Sequence, residues 1–445
     1  MTGRIAVVGG GLAGITAALD LAAAGAEVTL LERRPRLGGA TTSFRRGELT
    51  VDTGQHVFLR CCTAYRGLIE RLGMTDRLAL PGRLDVPVLA PGGVRARLRR
   101  TGLPAPLHLA GSLLAYRHLG VPDRLRAGRG ALALRRLDPA DRSLDARTLG
   151  DYLHEHGQTD ALVGTLWDVI ATATLNLPAA EASLQAAARV FRTGVLDSAS
   201  GGDLGWPLAP LGELHGEAGA RALAAAGVKV DLAVAVRAVT ADRVATDAGP
   251  LDADAVVLAV PATDALALLP DGAVHHRIAE LGSSPIVNVH VRYDRRVLPV
   301  PVAAAVRSPV QWMFDRTVQS GVPAGQYVAV SLSAADRWVD MPTGELRALF
   351  LPALADLLPA ARHAEVREFF VTRERRATIR QRAGSGAHRP PAATALPGLL
   401  LAGAWTETGW PDTMEGAVLS GTAAARAALD HLSSRPRPAG TGVDP

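Results

Sequence analysis

The stretch Ile5–Glu32, IAVVGGGLAGITAALDLAAAGAEVTLLE, leaves this chain few folds to choose from. A short apolar run predicts a strand, and Gly9-Gly10-Gly11-Leu12-Ala13-Gly14 a tight turn. A helix follows, with Ala17, Ala18, Leu21 and Ala22 on one face. Gly25 stops that helix, Val28–Leu31 reads as a second strand, and Glu32 stands at its tip. Each position has a mechanical reason. Gly9 permits the turn, Gly11 lets backbone N–H groups approach a pyrophosphate, and Gly14 lets helix pack closely on strand. The phosphates would sit at the positive end of the helix, and Glu32 would accept hydrogen bonds from an adenosine ribose. A glycine-rich turn alone is a weak signal. Framed by strand, helix, strand and a terminal acid, it predicts a dinucleotide-binding βαβ unit.

Composition excludes several other functions. A chain of 445 residues, 48% hydrophobic, is long enough for two domains. Net charge is +5, carried almost wholly by arginine, with Lys229 the only lysine. Aromatic content of 4% is poor for base stacking and no nucleic-acid motif accompanies the charge, so nucleic acid is not an expected partner. Cys61 and Cys62 are adjacent, which disfavours a structural disulfide, fits a reducing cytoplasm and offers no metal-ligand spacing. No metal site is expected. The apolar N-terminus contains GGGLAG and Asp20 and lacks a basic leader, and no uncharged run reaches membrane-spanning length.

Further along, Arg33 is followed by the doublet Gly38-Gly39 and Ala40, which fits a flavin protein, where backbone again approaches the pyrophosphate. Leu49–Phe58 reads as strand, turn and strand, with His56 after Thr53-Gly54-Gln55. Pro87–Leu137 carries ten arginines against one acid, Asp123, with Leu107, Ala110, Leu113 and Leu114 at helical spacing. Such a basic, amphipathic segment suits either a membrane surface or an ordinary solvated face. Val228–Val260 is β-rich and reads as a return to the nucleotide sheet. Leu399–Gly403 reads as a buried strand and Glu415–His431 as a closing helix. These parts describe an FAD-binding domain split across residues 1–75, 206–265 and 395–432. Residues 76–205 are expected to be mostly helical and substrate- or membrane-facing, 266–394 to form a substrate domain, and 433–445 a disordered tail.

Three stretches narrow the reading: Asp52-Thr53-Gly54-Gln55-His56-Val57, Arg373–Thr378, and LLLAGAWTETGWPDTMEGAVLSG at Leu399–Gly421. WDVIATATLNL at Trp167–Leu177 and Gln311–Asp315 add weaker echoes. Through them the chain resembles the amine-oxidase/carotenoid-desaturase superfamily of flavoproteins, and within it the hydroxysqualene dehydroxylases of bacterial hopanoid biosynthesis. The resemblance spans Ile5–His431. It implies an α/β fold: a Rossmann-like FAD-binding domain of the glutathione-reductase/amine-oxidase type with a discontinuous α+β substrate-binding domain. It implies FAD contacts at Gly9, Gly11, Leu12, Ala13, Gly14, Glu32, Arg33, Gly38, Gly39, Ala40, Gly54, Gln55, His56, Val236, Ala259, Pro261, Gly403, Ala404, Thr413, Met414, Glu415 and Ala417. At position 404 relatives usually carry an aspartate that binds a ribityl hydroxyl. Losing that bond costs roughly 1.5–3 kcal/mol, so looser FAD binding is expected.

The reaction implied is removal of the hydroxyl of hydroxysqualene by reduced FAD, leaving squalene. Hydroxide leaves poorly, so an acid must assist it, and an apolar tunnel must exclude water and hold the C30 chain. His56 is the first candidate donor; Glu407 and Asp412 are weaker ones, and Glu415 reads as a helix-start residue. Trp312, Phe314, Trp405 and Trp410 are candidates for the tunnel wall. The implied partners are an apolar C30 isoprenoid, an external electron donor, the preceding squalene-pathway enzymes as suppliers, and the inner face of the plasma membrane. A desaturase running electrons the opposite way is the runner-up, and a non-catalytic prenyl-binding protein on the same fold is a third reading. A flavin amine oxidase fits less well, because the lysine common at its site has no counterpart beyond Lys229.

Overall fold

The computed structural model describes residues 3–434. The tail expected at 433–445 lies, from residue 435 onward, outside the described residues, and Ser433 and Ser434 end the last helix. Five strands form an all-parallel sheet in the spatial order Lys229–Leu232, Glu27–Glu32, Arg4–Val8, Ala255–Leu258, Leu399–Leu401. The near-continuous apolar runs Ile5–Val8, Ala255–Leu258 and Leu399–Leu401 suit strands covered on both faces. One face packs under helices Leu12–Ala23, Thr63–Arg71, Ala218–Ala225 and Met414–Ser434.

The other face is covered by a separate antiparallel sheet of Val236–Val239, Arg243–Thr246 and Gly249–Asp252. The β-rich stretch therefore returns to the nucleotide sheet only through its first and last strands. The middle three are joined by turns of three and two residues, which allow only antiparallel hairpins; joining a parallel sheet needs a crossover of about a dozen residues.

A seven-stranded sheet forms the second half, in the order Val366–Thr378, Ser284–Tyr293, Gln326–Leu332, Trp312–Asp315, Val302–Ala305, Asp85–Leu89, Arg95–Arg99. Side chains alternate between two cores, as strand geometry requires. Val302 and Ala304 face the helical region containing Tyr116, Leu134, Leu153 and Trp167, whereas Ala303 and Ala305 face helix Thr343–Leu357. The start of the basic segment thus differs from the mostly helical expectation. Arg95, Arg97 and Arg99 alternate with buried Ala96 and half-buried Leu98, a period of two that makes an edge strand. Helix resumes at Ala110–Leu114 and Val121–Arg136.

The first and last helices of the nucleotide-binding half lie against one another through Gly421. A Cβ there would collide with the Ala13 carbonyl oxygen and stand 2.9 Å from the Thr16 Cβ. Gly421→Ala must push the two helices apart, at a cost of about 1–3 kcal/mol. Urea denaturation should show a lower midpoint with an unchanged slope; an unaltered midpoint would contradict this packing.

Candidate functional site

The Gly9–Gly14 turn is built from backbone hydrogen bonds. Gly9 N donates to Leu31 O at 2.8 Å, and Gly38 N to Gly10 O at 2.8 Å, so the glycine doublet is tied to the fingerprint. Gly9 adopts φ +109°, and Gly39, at φ +56°, lies so close that a Cβ would stand 2.8 Å from Gly11 Cα. Gly11 is the N-cap of helix Leu12–Ala23, which has no side-chain cap and no acid in its first turn. Its leading N–H groups, at Leu12, Ala13 and Gly14 among others, therefore present positive charge to whatever lies beyond Gly11 and Gly39. Glu32 is 7% exposed; its Oε2 accepts from Gly10 N and its Oε1 from Arg34 N, both at 2.8 Å. Each oxygen keeps a lone pair for a ribose hydroxyl.

The neighbouring candidates gather at the same strand ends. Ala259 N donates to Val8 O at 2.7 Å, and Pro261 opens helix Ala262–Leu268. Val236 begins the covering sheet, just after Val234, whose N–H donates to Glu32 O at 3.1 Å. The Arg33 side chain turns outward to Asp264, 3.0 Å away. Ala40 contributes its carbonyl, which accepts from Thr53 Oγ1 at 2.6 Å.

Beneath the Thr53–His56 turn sits a buried ion pair that sequence reading missed. Asp52 pairs with Arg316, and its Oδ1 also accepts from Ser43 Oγ at 2.6 Å and Leu211 N at 2.9 Å. The Gln55 Oε1, the His56 Nδ1 and the Thr42 Oγ1 are buried without a hydrogen-bond partner. Buried polar atoms are rarely left so, and three of them beside two glycine turns fit a polar cofactor laid across this region. Burial lowers the His56 pKa, opposed by the Gly54 backbone and the Asp52 charge, so the ring is neutral at pH 7. Solvent reaches part of the residue, but its ring lies inside. His215, also missed, is fully buried and bonds Thr41 O through Nδ1 at 3.1 Å and Tyr65 Oη through Nε2 at 2.9 Å. A carbonyl only accepts, so Nδ1 carries the proton and Nε2 accepts from Tyr65. A lone histidine in a helical stretch offered no signal for this role.

Residues 403–417 form the third wall. Gly403, at φ +143°, donates its N–H to Ser420 Oγ at 2.8 Å. The Ala404 and Thr406 carbonyls accept from half-buried Arg389, both at 2.7 Å, and desolvation lowers the pKa of that guanidinium. Thr413 caps helix Met414–Ser434 through its carbonyl, which accepts from Ala417 N at 2.9 Å, while Met414 packs into the core. Glu415, in the first turn of that helix, turns its side chain toward another element. Its carboxylate accepts from Ala64 N at 3.0 Å and Tyr65 N at 2.7 Å, capping a different helix, Thr63–Arg71.

The catalytic and tunnel candidates are not brought together as expected. Glu407 pairs with Arg142 at the surface, a partner 265 positions away that no local pattern reveals. Asp412 Oδ2 accepts from Ile379 N at 2.7 Å, and burial raises its pKa. Trp405 donates from Nε1 to Val260 O at 2.9 Å and packs under the parallel sheet, because Gly403 lets the chain fold its ring inward. Trp410 lines a cavity of about 170 Å³ with Arg142, Arg189, Arg389 and Glu407. Trp312 and Phe314 stack, centroids 6.5 Å apart, in the core between the second sheet and its helices, and Trp312 Nε1 donates to Val169 O at 3.2 Å. Residues two apart share a strand face, which is why these two meet each other and not the other tryptophans.

The family described as flavin containing amine oxidoreductase matches residues 12–429. The chain belongs to this family. It is an FAD-dependent oxidoreductase. The chain is 30% identical to hydroxysqualene dehydroxylase of Rhodopseudomonas palustris, covering 96% of this chain and 98% of that protein. It is 27% identical to the Sinorhizobium fredii hydroxysqualene dehydroxylase, over 98% of this chain and all of the relative. It is 25% identical to the zeta-carotene desaturase of Arabidopsis thaliana, over 94% and 84%. Its fold matches an oxidoreductase from Methanosarcina mazei, with TM-score 0.72 and 17% identity over 94% of this chain and 99% of that one. A putative protoporphyrinogen oxidase from Exiguobacterium matches with TM-score 0.69 and 20% identity, over 98% and 100%. Lys229 is spent on Asp231, 3.0 Å away on an edge strand, and among the described residues no cluster of three His, Cys, Asp or Glu side chains could hold a metal.

Burial holds the folded pKa of His215 down to about 3, and His290, stacked on Phe370 at 4.5 Å, likewise. An unfolded imidazole takes its proton near 6.5. Between pH 6.5 and 3 the unfolded chain therefore binds more protons, so stability falls as pH falls. At pH 5 each ring should account for about 2 kcal/mol of that loss. Urea midpoints at pH 7.5 and 5.0 should draw together in His215→Gln and in His290→Gln; a wild-type pH dependence in both variants would refute the assignment.

Proposed function

We propose that this flavoenzyme removes the hydroxyl of hydroxysqualene to give squalene, with electrons delivered by an external donor. The similarity to hydroxysqualene dehydroxylases over essentially the whole of both chains carries this reading. When bound, FAD supplies a hydride at N5. The chain's own residues have the remaining tasks: placing the C30 chain, excluding water, and assisting the departing oxygen. His56, neutral because it is buried, acts as a hydrogen-bond donor to that oxygen and not as an imidazolium acid. Asp412, whose burial raises its proton affinity, is the better proton source; Glu407 is engaged by Arg142 at the surface.

Similarity to zeta-carotene desaturase favours a second reading, in which oxidised FAD takes hydride from a polyene. An anaerobic assay separates the two. Conversion of hydroxysqualene to squalene only with reduced flavin, slowed about 10²-fold or more in Asp412→Asn, is the expected result. Turnover of phytoene or squalene by oxidised enzyme would reverse it, and a colourless protein that takes up no FAD would leave the prenyl-binding alternative.

We also infer that the protein works on an anionic membrane surface. No helix among the described residues is long and apolar enough to cross a membrane. Of twelve exposed large apolar side chains among the described residues, seven fall between Val94 and Leu132: Val94, Leu103, Leu107, Leu114, Val121, Leu125 and Leu132. Exposed Arg117, Arg126, Arg129, Arg135 and Arg136 lie among them. Apolar side chains that enter the interface beside basic ones that meet lipid headgroups are the requirement for such docking. Arg100 is not part of this face, since it is buried against Asp203 at 2.5 Å. The protein should float with phosphatidylglycerol vesicles and lose that behaviour when Leu107, Leu114 and Leu125 become glutamate; equal flotation of both proteins would exclude this face.

A further inference from the structure

A second cavity lies at the far edge of the seven-stranded sheet, and none of its lining residues belongs to the fingerprint, the Gly54 turn or the 399–421 wall. Its volume of about 680 Å³ falls within the range of small-molecule sites, roughly 300–1,000 Å³. Leu89, Val297, Leu298, Ala303 and Leu357 make its apolar floor. Arg95, Arg97 and Arg296 stand at its mouth.

The charges at the mouth are unbalanced. Arg97 pairs with Asp85 at 2.6 Å, and Arg296 donates to the Leu298 and Pro299 carbonyls at 3.4 and 2.9 Å. The Arg95 side chain makes no hydrogen bond or ion pair among the described residues, its backbone alone being held in the ladder opposite Leu89. Three guanidinium groups therefore face one carboxylate, above a floor that offers only hydrocarbon. An added peptide strand does not fit this edge. Ser112 Oγ already bonds Arg97 O at 2.5 Å and Arg99 N at 2.9 Å, occupying backbone groups that a strand would need. The same bonds place helix Ala110–Leu114, with exposed Leu114, directly beside the arginine strand, and Val94, 40% exposed, leads into Arg95. The groove thus opens beside the apolar and basic surface.

We propose that this groove seats a membrane phospholipid, holding one hydrocarbon chain on the apolar floor and an anionic phosphate at Arg95, Arg97 and Arg296. The proposal rests on the membrane-facing reading only for the source of the lipid, and it is independent of the reaction at the flavin.

Native mass spectrometry of the full-length, FAD-loaded protein tests it below micelle-forming concentrations, without vesicles. Lysophosphatidylglycerol, lysophosphatidylcholine of equal chain length, and inorganic phosphate are the three probes. The expected result is one lysophosphatidylglycerol per chain, bound at least tenfold more tightly than lysophosphatidylcholine and not displaced by phosphate. Ala360→Trp and Pro299→Trp, both at the exposed mouth, should each weaken it at least tenfold while FAD content is unchanged, so one suffices if the other fails to fold. Arg95→Gln should erase most of the headgroup preference. Wild-type binding in both tryptophan variants, equal affinity for the two lysolipids, or displacement by phosphate alone would overturn the proposal.

Discussion

The buried pair of Asp52 and Arg316 is the joint on which the two halves meet. Asp52 ends a short strand of the nucleotide-binding half, and Arg316 follows strand Trp312–Asp315 of the other sheet. Through Ser43 and Leu211 the same carboxylate also gathers the Ser43–Arg46 strand and the helical turn beginning at Gly212. Removing one partner of such a pair leaves an uncompensated buried charge, at a cost of about 3–5 kcal/mol. The Thr53–His56 turn starts at this joint, so the position of the His56 ring depends on both halves being docked.

Around that joint the protein keeps three histidine rings uncharged and its helix ends selectively exposed. His56, His215 and His290 all have their pKa values lowered by burial, which removes imidazolium charge from the interior. Two helix N-termini are handled in opposite ways. Thr63–Arg71 is closed by Glu415, whose carboxylate takes two of its leading N–H groups, whereas Leu12–Ala23 has only glycine before it. The closed end is structural. The open end keeps its positive potential for an anionic ligand.

Much of this was legible in order along the chain. Ile5–Glu32 spelled out strand, turn, helix and strand because every contact it needs is local or within one βαβ unit. The Leu399–Gly421 motif marked a return to the same sheet, and Leu399–Leu401 does pair beside Ala255–Leu258. Arg95–Arg99 departs from the helical expectation because its period of two lies beneath a dense local charge. The surroundings of Glu407, Asp412 and Trp405 were hidden for a different reason: each side chain has a partner at Arg142, Ile379 or Val260, far away in sequence.

The sequence by itself determined the dinucleotide fold, the flavin class and the return of two later stretches to one parallel sheet, because glycine turns and strand periodicity act over a few residues. Tertiary structure alone decided which carboxylates are free and which are spent, that the four tunnel aromatics do not converge, and that a basic edge strand borders an apolar groove. Those outcomes rest on burial and long-range pairing, and both depend on which distant residues the fold sets side by side.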